Sequence, residues 1–224
     1  MGSHDSLRPT RLPPYLGWYP MLGVFVVALV GYFGGWIGHR AAGLVVTGVD
    51  MAEYVKFLPP VRAGDLDMLR ESFYAPLAIG SLIASLSASR RVLPLWLRWL
   101  AGICSIPLAL AMLPPAWSPS VLALPEFQLQ VIVLAACIAA LSLLLVTRFL
   151  PDAIILLIMA LLALIAALWP ASSLLEVLAP IEALYLTPIR PGWGFWVSTV
   201  GFLLIAVLSI RALIPRRTRR HIPG

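Results

Sequence analysis

The chain has 224 residues, 61% of them hydrophobic and 12% charged, with a mean hydropathy of +0.95 and a formal net charge of +6. A soluble domain carries roughly 25% charged residues, so this chain has little left for a separate nucleotide-binding or catalytic domain. The positive balance does not describe a nucleic-acid groove either, because the basic residues gather at the ends of apolar stretches.

Six stretches approach or exceed the about 20 mostly apolar residues of a membrane helix, and none has a charge near its middle. They run over 18–38, 72–89, 92–113, 126–147, 152–169 and 193–213. The first has no small-residue cleavage site after a short core, so it reads as a retained helix and not as a signal peptide. The second is short but extends outward, because 65–71 reads as a helical turn leading into it. The fourth and fifth are separated only by Arg148-Phe149-Leu150-Pro151, with Pro151 and Asp152 suited to a new helix start, so a tight hairpin is expected. The expected fold is an all-α integral membrane protein: a six-helix bundle over 18–214, between an N-terminal tail (1–17) and a basic tail (215–224).

Lys and Arg set the orientation. With both termini in the cytoplasm, eleven basic residues lie inside (Arg8, Arg11, Arg90, Arg91, Arg98, Arg148, Arg211, Arg216, Arg217, Arg219, Arg220) and five outside (Arg40, Lys56, Arg62, Arg70, Arg190). Tyr19 and the tryptophans at 18, 36, 96, 99, 117, 169, 193 and 196 fall near span ends, where amphipathic rings prefer to sit. The expected location is a prokaryotic plasma (inner) membrane, crossed several times.

Two outer connections are longer than a turn requires. In 39–71, Asp50-Met51-Ala52-Glu53 reads as a capped helix start; Met51, Tyr54, Val55 and Leu58 share a face, and Pro59-Pro60 ends it. In 170–192, Ser172 or Ser173 caps a short helix, Pro180 breaks it, and Pro188 and Pro191 stop the next turn. This second segment is too apolar for a free loop, so it reads as a pair of interfacial or re-entrant helices.

Small residues form two faces. Gly31, Gly34, Gly35 and Gly38 make overlapping GxxxG pairs on the first helix, and Ser81, Ser85 and Ser89 recur at four-residue spacing on the second. The plain reading is packing within the chain; the functional one is contact with a partner subunit or a flat cofactor. The outer side gathers the polar chemistry: His39, Arg40, Asp50, Glu53, Asp65, Asp67, Arg70, Glu71, Glu126, Gln128, Glu176, Glu182 and Arg190. This set reads as a ligand mouth or partner surface, against the plainer reading of a solvated rim. No calcium-loop spacing, Ser-His-Asp grouping, His-Glu-x-x-His or phosphate loop occurs, and no metal or cofactor is expected. Cys104 and Cys137 fall inside spans and read as small apolar residues. Arg216, Arg217, Arg219 and Arg220 suit anionic lipid headgroups or a simple stop-transfer anchor.

This layout of six helices, inner termini and broken helices before the last span resembles the membrane subunits of export-type ABC permeases. The resemblance implies a transport-related subunit that borrows its ATPase. The inner connection 89–92 is too short, however, for the coupling helix by which such permeases grip that ATPase. A structural or assembly subunit of a respiratory or photosynthetic complex is the second expectation. A membrane enzyme acting on lipid through the outer carboxylates and His39 is the third. The expected partners are lipids and other membrane subunits, and the balance is against catalysis.

Overall fold

The computed structural model describes residues 17–38, 45–66, 68–113 and 118–214. These residues are mostly helical, with one short two-stranded hairpin. Helix α1 (Trp18–Tyr32) leads into β1 (Gly35–Gly38), which pairs antiparallel with β2 (Val45–Thr47). Two short helices follow, α2 (Gly48–Tyr54) and α3 (Pro59–Ala63); a tight 3-10 turn over Arg70–Tyr74 then feeds α4 (Ala75–Ala88). Beyond it lie α5 (Leu95–Leu110), α6 (Pro119–Leu122), α7 (Gln128–Ser142), α8 (Leu144–Thr147), α9 (Asp152–Tyr185) and α10 (Trp193–Leu213).

Among the described residues two helices are long and apolar enough to cross a membrane, α9 with 34 residues and α10 with 21. The other expected spans are shorter as helices. Helix α1 stops at Tyr32, because Gly35 opens an extended segment that pairs with β2; only Gly31 of the four glycines is helical. The stretch at 126–147 starts as a 3-10 turn over Pro125–Phe127 and breaks at Leu143 between α7 and α8.

The largest departure from the sequence reading is α9. The chain was expected to leave the helix at Trp169 and to break again at Pro180, yet one helix runs unbroken through both Pro170 and Pro180. Each proline removes one backbone donor, but packing along α10 and against the Arg70–Tyr74 turn holds the axis together. Ser172 caps nothing; its hydroxyl donates back to the Trp169 carbonyl at 2.8 Å inside the helix.

Smaller elements shift in register. The α2 cap is Thr47, not Asp50: the Thr47 backbone N–H (3.3 Å) and hydroxyl (2.5 Å) both donate to the Asp50 carboxylate. Met51, Val55 and Leu58 are buried together as the spacing predicts. Pro59 and Pro60 do not end the structure but start α3, where a missing N–H costs nothing. The turn into α4 begins at Arg70 rather than at Asp65.

Helix α4 is the axis of the fold. Twelve of its fourteen residues are buried, and α5, α7, α9 and α1 pack around it. Ala75, Ala78, Gly80, Ser81, Ala84, Ser85 and Ala88 keep its surface thin enough for four neighbours. On the other side α10 lies between α1 and α9. Its contact with α1 is backbone on backbone: a Cβ added to Gly31 would meet Ser198 N at 2.5 Å and Gly194 O at 2.9 Å, and one added to Gly201 would meet Ala28 Cβ at 2.6 Å. Gly31 of the first small-residue face, and Ser81, Ser85 and Ser89 of the second, are therefore buried within the chain.

Gly31→Ala is expected to lower stability by roughly 1–3 kcal/mol, since a rigid backbone cannot yield to the new methyl. Gly38→Ala, with open space around its Cβ position, is expected to be near neutral. Thermal unfolding of the two variants side by side in one detergent checks the contrast.

Candidate functional site

Asp50, Glu53, Arg70 and Glu71 sit on a cap built by the hairpin, α2, α3 and the turn before α4. Trp36 is the centre of this cap. It is buried, with the rings of Tyr32, Phe73 and Phe195 edge-on at 5.8, 6.3 and 5.5 Å. The Tyr32 hydroxyl donates to the Phe73 carbonyl at 2.9 Å. The Gly192 N–H donates to the Trp36 carbonyl at 2.6 Å, and Ile37 bridges to Pro191, so the segment before α10 is tied to the strand after α1. Trp36 and Trp18 are thus core residues, whereas Trp96, Trp99, Trp193 and Trp196 are exposed.

Only part of the predicted polar set converges. Glu53 accepts from Lys56 Nζ at 2.7 Å and from the Tyr74 hydroxyl at 3.2 Å, with Arg70 Nη1 3.5 Å away. Arg70 Nε donates to Glu71 at 3.2 Å. The Lys56 ammonium and Arg70 guanidinium both lie over the Phe127 ring, at 4.9 and 5.4 Å from its centre. Two cations, two carboxylates and one aromatic platform thus pin α2 and the α4 entry turn to the start of α7. The cluster balances its own charge.

The rest of the set is dispersed. Asp50 is spent on the α2 cap, and Asp65, Glu176 and Arg190 are exposed. Glu182 accepts the Ile189 N–H at 2.9 Å and fastens the turn after α9, where Leu186 takes a left-handed conformation. His39, Arg40, Asp67 and the side chain of Glu126 lie outside the described residues, as do Arg216, Arg217, Arg219 and Arg220 of the tail. Among the described residues no three His, Cys, Asp or Glu side chains gather as metal ligands. Ser81 donates to the Ser105 carbonyl at 2.8 Å, Ser89 to Leu86 at 2.7 Å, and Ser85 is buried. Cys104 is exposed and Cys137 buried, both as free thiols.

Tyr54 and Tyr185 join α2 to the end of α9 through their hydroxyls, 3.3 Å apart. Burial, then the bond to Tyr185, pushes the Tyr54 phenol up from its ordinary value.

At the opposite end of the bundle Arg90 is 3% exposed. Its guanidinium donates to the Thr147 carbonyl, to the Leu150 carbonyl at 3.1 Å and to the Asp152 carboxylate at 3.1 Å, while Ser89 takes its Nε at 2.9 Å. One side chain thereby satisfies the carbonyls at the end of α8 and holds the tight turn into α9. The sequence marks Arg90 only as an orienting charge; its partner Asp152 is 62 residues away. The Glu53–Lys56 spacing, in contrast, is a helical pair readable in advance.

No family model, curated protein or solved structure matches this chain.

Arg90→Ala is expected to cost roughly 3 kcal/mol, since buried carbonyls lose a charged donor. Asp152→Asn is expected to cost less than about 1 kcal/mol, because that carboxylate is half exposed. Chemical unfolding of both variants checks the order. The raised Tyr54 value favours the neutral phenol in the folded state. Its contribution is complete below the ordinary phenol range of about 10 and is lost as pH climbs through the folded value. Melting curves taken up an alkaline series are expected to fall less steeply for Tyr54→Phe than for wild type.

Proposed function

We propose that the chain is a non-catalytic integral membrane subunit that crosses the bilayer six times, with both termini cytoplasmic, and works as framework in a larger membrane complex. The observation that carries this reading is the exterior of the bundle. Val26 and Val30 on α1, Trp99 and Ile103 on α5, Leu161 and Leu168 on α9 and Val207 on α10 are exposed, while the charged groups lie at the two ends. Such a belt is an aggregation hazard in water and matches hydrocarbon.

The shorter helices fit this reading once their extensions are counted. The turn over Arg70–Tyr74 and α4 together reach about 31 Å, against about 30 Å of hydrocarbon. Helix α9 is about 51 Å long, so its last third projects beyond the bilayer and serves as a strut of the outer cap. The arginine distribution then sets the cap outside and the Arg90 clamp inside.

Two features favour a structural or assembly role over an ATPase-driven permease. The inner connection between α4 and α5 is only 89–94, with Arg90 buried in the clamp, which leaves no coupling helix to grip a motor. The converging polar groups of the cap are committed to one another. A transport-related subunit is the second reading; the ordered outer cap favours it, as a surface where a binding protein would dock. The lipid-enzyme reading has no support among the described residues, since Glu53 and Glu71 are paired with cations.

In a background with Cys104 and Cys137 replaced, Asp65→Cys is expected to react with an impermeant maleimide on intact cells, and Arg91→Cys only after lysis. The reverse pattern overturns the orientation. Gentle solubilisation from the native membrane, with mass spectrometry and an absorption spectrum, tests the role. Co-purifying pigment or redox subunits support the framework reading; a co-purifying ATPase overturns it in favour of transport.

A further inference from the structure

The inner end of the bundle holds a groove of about 410 Å³ between α5 and the segment from Leu141 to Arg148. That volume lies in the range of small-ligand sites, roughly 300–1,000 Å³. Leu95, Trp99, Ile103, Ile106 and Leu141 make its walls, and Gly102 faces Ala88 across the floor, with 3.6 Å from an added Cβ to the Ala88 methyl. Two arginines, Arg98 and Arg148, line it, and no carboxylate does.

The charges in this groove are not neutralised from within. Among the described residues neither Arg98 nor Arg148 pairs with an acid. Asp152, the carboxylate on the adjoining turn, is already held by Arg90. Arg98 spends its Nε on the Ala88 carbonyl at 3.1 Å, which leaves its Nη groups as donors. Arg148 lies over the Phe149 ring at 4.7 Å, a face contact that leaves its in-plane N–H groups unused. Guanidinium groups match phosphate oxygens with paired hydrogen bonds. A molecule with a phosphate at one end and hydrocarbon at the other complements this groove along its whole length.

We propose that this groove is a binding site for one anionic phospholipid, its phosphate held between Arg98 and Arg148 and an acyl chain laid on Trp99, Ile103 and Leu141. The inference rests on the membrane reading above. It is distinct from the headgroup attraction expected of the basic tail, because it needs a groove and not only charge. The bound lipid lies between α5 and the segment from Leu141 to Arg148.

The test uses the full chain in nanodiscs of phosphatidylcholine, with and without phosphatidylglycerol, read by native mass spectrometry and by the unfolding midpoint. Wild type is expected to retain one phosphatidylglycerol and to melt higher when that lipid is present. Arg148→Gln removes a donor, and Gly102→Leu fills the floor while keeping both charges; each is expected to lower retention about tenfold. Both variants should keep the wild-type midpoint in pure phosphatidylcholine, which shows that they fold. Retention unchanged in both variants overturns the proposal and assigns the attraction to the tail. Inorganic phosphate giving the same midpoint shift in phosphatidylcholine discs also overturns it, since a free anion would then suffice. A chain that fails to enter discs and stays dispersed without detergent overturns the membrane reading itself, and the site with it.

Discussion

Cohesion of this bundle demands close packing and a partner for the polar groups it buries. Helix α4 meets that demand with a surface of alanine, serine and glycine, thin enough for four helices to gather round it. The α1–α10 contact meets it more sharply. Gly31, Gly194 and Gly201 bring two backbones within contact, with no room for a methyl group between them. The positions of α9 and the outer cap follow from that seam, because α10 carries α9 on its other side and Gly192, just before it, bonds to the Trp36 carbonyl.

Polar groups close the two ends of the bundle by different means. At one end, a neutral cluster of Glu53, Lys56, Arg70 and Glu71 leans on Phe127. Its members are partly exposed, so each ion pair contributes little alone; together they fix the entry of α7 against α2. At the other end, a single buried guanidinium serves three acceptors from Thr147 to Asp152. Arg90 is therefore consumed by the fold, whereas Arg98 and Arg148 remain available at the groove. Of three arginines that look equivalent as orienting charges, burial sets Arg90 apart from Arg98 and Arg148.

The features that depend on short-range spacing were legible in the residues. The apolar stretches, the buried face of Met51, Val55 and Leu58 and the buried serines of α4 follow from near-neighbour pattern. The failures have specific causes. Pro170 and Pro180 read as breakers because local propensity penalises them, but α9 continues since its neighbours along α10 outweigh two missing donors. Gly34, Gly35 and Gly38 read as a helix face, yet β2 offers Gly35 and Gly38 a strand partner. Glu182 reads as part of a ligand mouth, and it is instead required by the left-handed turn at Leu186.

Composition and charge placement by themselves determined that this is an apolar, mostly helical chain with its charges at helix ends, because burial preference is a property of each residue and its near neighbours. The Arg90 clamp, the cation platform on Phe127, the Trp36 aromatic cluster and the two-arginine groove were decided only by tertiary structure. Each joins residues tens of positions apart, and nothing in a linear pattern states which distant carbonyl or ring will lie within reach of a guanidinium once the helices have closed on α4.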